Sequence, residues 1–366
     1  MMIYKKFTFF FLIVVILLLC FHISIWNLYT KYVVITDSQI YKGDLTRKCY
    51  KTDSVFPRYS FYNEKRVNLK KRHISLQDWK DEEIDVITIG DSFSNGDTQG
   101  LNAFYQDYIA TYNNKNVLNI PRDIIDKYNF IEIISMLNNS NILDKIKPKY
   151  ILIQSVERFS IERFSNDIDF SAKDENNTLY NTLKNSRYYF FNSKDDNKQL
   201  DFININNFRA LRNNILFKLY GNEGLFSGVY IEPLKKELFS SQDKSSLLFL
   251  KQDIDNIILS TKEKVEKLNY NFNILAEILE KKGIKLYFMP IVDKYNLYSK
   301  YLESGGKYPK SKFFELLRKF PQKYTLIDTK KILLEELAKD KKDIYYSDDT
   351  HWSYKASEVI FKKVRF

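Results

Sequence analysis

From residue 85 onward, short apolar strand patterns alternate with stretches of helical periodicity, and this alternation constrains the fold more than any other feature. Asp85-Val86-Ile87-Thr88-Ile89 is a β-branched run closing at Gly90, the pattern of a buried strand entering a turn. Val117-Leu118-Asn119-Ile120 follows and closes at Pro121. A helical stretch then carries Ile131, Ile133, Ile134 and Leu137 at compatible spacing. Tyr150-Ile151-Leu152-Ile153-Gln154 reads as a third strand. Residues 261–282 predict a strong amphipathic helix stopped by Gly283 as its C-terminal cap. Residues 284–289 predict a fourth strand ended by Pro290. Residues 313–320 read as a helix, Thr325-Leu326-Ile327 as a short strand, 330–339 as another helix, and the last helix begins near Ser353. Strands alternating with helices indicate an α/β fold with a parallel sheet covered on both faces. Ligands of such sheets bind beyond the carboxyl ends of the strands. Gly90-Asp91-Ser92, Ser155-Val156-Glu157-Arg158, and Pro290 with Asp293 fall at those ends.

The N-terminus carries a different signal. Lys5-Lys6 precede residues 7–26, which hold no formal charge with His22 neutral. That length matches the roughly 20 residues of a membrane-spanning helix. Lysines before the run and aromatics at its far end (Trp26, Tyr29) orient the N-terminus toward the cytoplasm. The run exceeds the usual ~7–15 apolar residues of a signal peptide and no Ala-x-Ala site follows. Leu19 stands where a lipoprotein site at Cys20 needs a small residue. The reading is therefore a cytoplasmic segment at 1–6, a transmembrane anchor at 7–29, a stalk or approach segment at 30–82 with Cys49 and Pro57, and an extracytoplasmic (periplasmic or extracellular) main domain at 83–366. An insertion at about 160–258, rich in Asn, Asp, Lys and aromatics, reads as a lid, a substrate-binding subdomain or a solvated decoration.

Charge and cysteine usage exclude several classes. Lys and Arg number 57 against 46 Asp and Glu, a net +11 spread along the chain without a basic block. No nucleic-acid-binding pattern accompanies that charge. Cys20 and Cys49 are the two cysteines, and without a Cys/His cluster neither a disulfide framework nor a metal site is expected. Nothing in the sequence calls for a cofactor.

A serine hydroxyl needs a base to become a nucleophile, and that base is usually a histidine oriented by a carboxylate. The chain has three histidines. His22 lies in the anchor, and His73 sits in Lys70-Lys71-Arg72-His73 with no evident partner. His351 lies in Tyr345-Tyr346-Ser347-Asp348-Asp349-Thr350-His351-Trp352-Ser353, a loop leading into the last helix. Ser92 at a strand end and His351 near the C-terminus are thus the candidate nucleophile and base. Either Asp348 or Asp349 is the candidate orienting carboxylate, with helix capping as the other use of Asp348.

Four segments resemble the SGNH/GDSL-type hydrolases, in the polysaccharide O-acetyltransferase branch that includes the alginate and peptidoglycan O-acetyltransferases and DHHW-type proteins. They are Ile89-Gly90-Asp91-Ser92-Phe93-Ser94, Ser155-Val156-Glu157-Arg158, Met289-Pro290-Ile291-Val292-Asp293-Lys294-Tyr295 and Asp348-Asp349-Thr350-His351-Trp352-Ser353. The resemblance implies a flavodoxin-like three-layer SGNH-hydrolase fold with Ser92 as nucleophile and His351 as base. The general pattern Asp-x-x-His selects Asp348, while the alginate branch's Asp-x-His-Trp selects Asp349. Because that branch places its Asp-His pair before the serine, chain order favours Asp348. The backbone N–H of Ser92 is the natural first oxyanion donor. Asn119 and Ser155 stand near the usual further donors, but the Gly-x-Asn-Asp sequence is missing, which argues against ordinary lipase or esterase activity. Glu157 and Arg158 take its place, Arg158 as a ligand for an anionic sugar or as an ion-pair partner of Glu157. Trp352 either stacks on a sugar or packs beneath the histidine loop.

The implied activity is O-acetyl or other short-acyl transfer to a cell-envelope or exported polysaccharide, with a membrane-bound O-acyltransferase supplying acyl groups. Deacetylation by the same fold is the alternative, and a non-catalytic polysaccharide-binding or assembly factor is the reading from another class.

Overall fold

The computed structural model describes residues 2–24, 44–45, 68–96, 102–120, 128–185, 228–240 and 244–366. Helix α1 (Met2–Ser24) contains an 18-residue window of mean hydropathy 2.7 within the 21 residues Tyr4–Ser24, long and apolar enough to cross a membrane by length and composition. Trp26, Tyr29, Cys49, Pro57 and Pro121 lie outside the described residues, as does the middle of the insertion at 186–227.

Six parallel strands form the central sheet: β1 (Ile74–Ser75), β2 (Val86–Ile89), β3 (Val117–Ile120), β4 (Tyr150–Val156), β7 (Lys285–Ile291) and β8 (Thr325–Leu326). Their order is β1-β3-β2-β4-β7-β8. Leaving out edge strand β1, this is the doubly wound order in which the chain moves one way from β2 to β3, then returns to the other side of β2 for β4. The gap between helix layers at that reversal lies at the carboxyl end of β2, where Gly90-Asp91-Ser92 emerges. Every residue of β2 and β3 is buried, which explains their uninterrupted apolar reading.

Helices α2 (Tyr105–Asn113), α11 (Thr329–Ala338) and α12 (Tyr354–Lys363) pack together on one side. Helix α3 (Phe130–Asn139), which leads into the short α4 (Ile142–Ile146), packs with α5 (Glu157–Phe164), α8 (Lys262–Glu280) and α10 (Phe313–Leu317) on the other. Local chemistry sets the helix ends. Asn129 and Glu132 form a reciprocal capping box at α3, Thr261 caps α8, and Ser353 caps α12 by accepting the Lys355 N–H. Gly283 terminates the α8 turn at φ +73°, a backbone region open to glycine.

Two expectations needed correction. Pro290 does not end its strand, because β7 continues to Ile291. Beyond Phe288 the short β8 has ended, so the missing N–H of Pro290 costs no ladder bond on that side. The folded domain also begins before residue 83: β1 pairs with β3, and Asp44 and Leu45 bond to the His351 loop. Within the insertion, α6 (Thr178–Asn185) is followed by β5 (Val229–Pro233) and β6 (Ser246–Leu250), a separate antiparallel pair. β6 leads into α7 (Gln252–Asp255), which packs against α9 (Lys294–Tyr298).

Candidate active site

The turn after β2 is held open by buried polar groups. Gly90 admits no side chain: a Cβ there would lie 2.3 Å from both Gln154 Oε1 and Ser94 Oγ. Gln154, on β4, accepts the Asp91 N–H at 3.1 Å and donates to Asp91 Oδ1 at 2.8 Å. Asp91 Oδ2 accepts from the Val156 N–H at 2.7 Å and from Arg163 Nη1 at 2.6 Å. Burial works against the Asp91 carboxylate, but Arg163 and these hydrogen bonds hold it below the usual range. Ser94 joins its hydroxyl to Tyr105 and Gln154, and its carbonyl accepts from Gln106 and Asn119 at 2.8 Å each. The result is a rigid elbow that leaves Ser92 half-buried and facing the sheet's end.

His351 meets Ser92 across that end. Its Nε2 lies 2.8 Å from Ser92 Oγ, and its Nδ1 lies 2.6 Å from Asp349 Oδ1. The same Asp349 oxygen accepts the His351 backbone N–H at 2.8 Å. This Asx turn fixes the carboxylate and ring together. Asp349 is only 1% exposed. Burial opposes its charge, yet the His351 charge and hydrogen bonds bring it down to about 2. The aspartate on the imidazole is therefore Asp349, not Asp348, which chain order favoured. A two-residue Asx turn reaches Nδ1 directly, while the Asp348 carbonyl accepts the Leu45 N–H at 3.1 Å.

Phe93 packs against the imidazole, its ring centroid 4.6 Å from that of His351. Trp352 meets Phe93 edge-on at 5.2 Å and is buried, so it packs beneath the histidine loop.

The other expected site residues occupy supporting positions. Asn119 is fully buried, accepts from Thr88 Oγ1 at 2.8 Å and donates to the Ser94 carbonyl, bracing the elbow. Ser155 Oγ accepts from Arg163 at 2.7 Å. Glu157 is buried and receives Asn296 Nδ2, Ser311 Oγ and the Asp293 N–H. Burial pushes its carboxyl up despite those donors. Arg158 pairs neither with Glu157 nor outward: its Nη1 donates to Asp293 at 2.6 Å and to Asp253 at 3.3 Å. Burial, with Asp253 alongside, pushes Asp293 well above the usual carboxylate range. The Ser92 N–H makes no hydrogen bond among the described residues, so it is available to an oxyanion.

Sequence reasoning passed over Lys294 and Asp44. Lys294 is 1% exposed, and its ammonium donates to the carbonyls of Tyr346, Ser347 and Asp349 at 2.6, 2.9 and 3.0 Å. It thereby gathers the loop that carries Asp349 and His351. Burial lowers it to about 8, against the pull of Asp348, Asp349, Asp44 and Asp253. His73 has a partner after all. Its Nδ1 lies 2.7 Å from Asp107, which also binds Arg72, tying the approach to β1 onto α2.

Asp44, Asp349 and His351 bring potential metal-ligating atoms within 4.8 Å of one another. The Asp349 oxygens and the His351 nitrogens already hydrogen-bond within the site. Comparison with known proteins gives no match to a family model, a curated protein or a solved structure.

Proposed function

We propose that the chain is an extracytoplasmic serine O-acyltransferase of the SGNH/GDSL type. It would move an acetyl or other short acyl group to a hydroxyl of a cell-envelope or exported polysaccharide. The observation that carries this reading is the continuous Ser92–His351–Asp349 hydrogen-bond chain at the reversal point of a parallel sheet. That constellation suits nucleophilic acyl chemistry by its geometry.

In the first half-reaction Ser92 Oγ attacks the donor carbonyl carbon and gives its proton to His351 Nε2. The Ser92 N–H faces the oxyanion, and the imidazolium is stabilised by Asp349. As the carbonyl reforms, the leaving group departs with the proton from His351, leaving an acyl ester on Ser92. A sugar hydroxyl then attacks that ester while His351 takes its proton. Collapse forms the sugar ester and returns the proton to Ser92. The apolar α1 supports membrane attachment, with the N-terminus cytoplasmic and the domain outside. An enzyme placed there has no access to cytoplasmic acyl thioesters, so a membrane-bound O-acyltransferase that hands acyl groups outward fits as its donor partner.

The test incubates the protein with an activated acetyl ester, with and without sugar oligomers. The reading expects acetylated sugar to form at the expense of free acetate. Acetate release indifferent to acceptor would replace transfer by hydrolysis. If Ser92→Ala kept full biological activity, a binding or assembly role would displace both.

A further inference from the structure

We propose that Asp44, which precedes the domain in sequence, is a positioning residue of the active site that fixes the loop carrying Asp349 and the catalytic histidine. The inference rests on the acyl-transfer reading. Asp44 sits 305 residues before Asp349 in the chain, yet its backbone N–H donates to Asp349 Oδ2 at 3.0 Å. The carboxylate of Asp44 accepts the Thr350 N–H at 2.8 Å and the Thr350 hydroxyl at 2.7 Å. Next to it, the Leu45 N–H binds the Asp348 carbonyl at 3.1 Å. The Leu45 side chain is fully buried with Val229, Leu248 and Leu250 of β5 and β6.

These contacts extend the relay by one member. Asp349 Oδ1 serves His351, and its second oxygen is fixed by Asp44, so the carboxylate cannot rotate away from the ring. The Asp44 side chain clamps Thr350, the residue between Asp349 and His351. Two anchors of different kind hold the strap, one polar on the loop and one apolar on the β5–β6 sheet.

Asp44 also brings charge: a carboxylate oxygen lies within 4.8 Å of an imidazole nitrogen and of an Asp349 oxygen. Among the described residues, Asp348, Asp349 and Lys294, with Asp253 beyond Lys294, and the Asp343–Lys355 pair at Ser353 also bring charge to the loop. At such a distance a carboxylate favours the imidazolium over the neutral ring. Residues 25–43 connect Ser24 to Asp44, a reach of at most ~70 Å.

The test uses the full chain in detergent and a fluorophosphonate, which reacts when the activated Ser92 Oγ displaces fluoride from phosphorus. Asp44→Asn keeps the shape of the strap and removes its charge. Leu45→Ala loosens the apolar anchor and leaves every charge in place. The proposal expects Asp44→Asn to slow labelling several-fold and move the acidic limb of its pH profile to lower pH. Leu45→Ala should slow labelling at all pH values with an unmoved limb. Wild-type rates and an unmoved limb in Asp44→Asn would overturn the proposal. A wild type that is not labelled at all would instead sink the nucleophile reading on which it rests.

Discussion

Asp349→Asn tests which aspartate orients the base. The native carboxylate receives two N–H groups from His351 on Oδ1 and the Asp44 N–H on Oδ2. An asparagine can satisfy only one side. With its oxygen toward His351, its NH2 confronts the Asp44 N–H in a buried setting, at a cost of about 1–3 kcal/mol. With its NH2 toward His351, the ring must carry its proton on Nε2 and can no longer accept the Ser92 proton. The gap between the ordinary aspartate value of 3.8 and about 2 in the fold corresponds to about 2–3 kcal/mol of interaction. Loss of the orienting carboxylate in such relays costs on the order of 10⁴ in rate. Fluorophosphonate labelling of Ser92 and acetyl-ester turnover should both fall by about that factor. Asp348→Asn, changing a side chain off the Nδ1 contact, should alter them by less than about tenfold. Equal losses in the two variants, or an Asp349→Asn rate within about tenfold of wild type, would refute the reasoning.

Other outcomes follow from the same structure. Lys294→Met leaves three loop carbonyls without their donor and should cost at least about 2 kcal/mol in denaturant unfolding while slowing labelling of Ser92. Gly90→Ala places a methyl against Gln154 and Ser94 and should cost about 1–3 kcal/mol with near-complete loss of labelling. Arg158→Leu strands Asp253 and Asp293, for about 3–5 kcal/mol at neutral pH. Its stability should recover as acidification lets those carboxyls protonate, because a raised folded pKa stabilises on the acid side. The depressed Asp349 works the other way: its contribution is fully present above about pH 4 and lost as pH falls toward 2.

Strands β2, β3, β4 and β7 were legible because they are almost wholly buried and therefore spell out apolar runs. Strand β1 was not, since Ile74-Ser75 offers two residues and no periodicity. Helix α2 was also missed: its first six residues, including Gln106 and Asp107, are all buried, so no polar stripe marks an outer face. At the site, Ser92 and His351 could be paired from strand-end position and the scarcity of histidines. The choice of Asp349 turned on an Asx turn, a local signal that Asp-x-His already carries but that competed with chain order. Lys294 had no sequence signal, because lysine is surface-exposed by default. Asp44 had none either, because its role depends on a contact 305 residues away.

The most direct test of the acyl-transfer account is intact and peptide mass analysis of the protein after brief exposure to an activated acetyl ester. The account predicts one acetyl group, located on Ser92, that builds up in wild type and is discharged when a sugar acceptor is added. Its absence from Ser92, or an equal mass gain in Ser92→Ala, would contradict it.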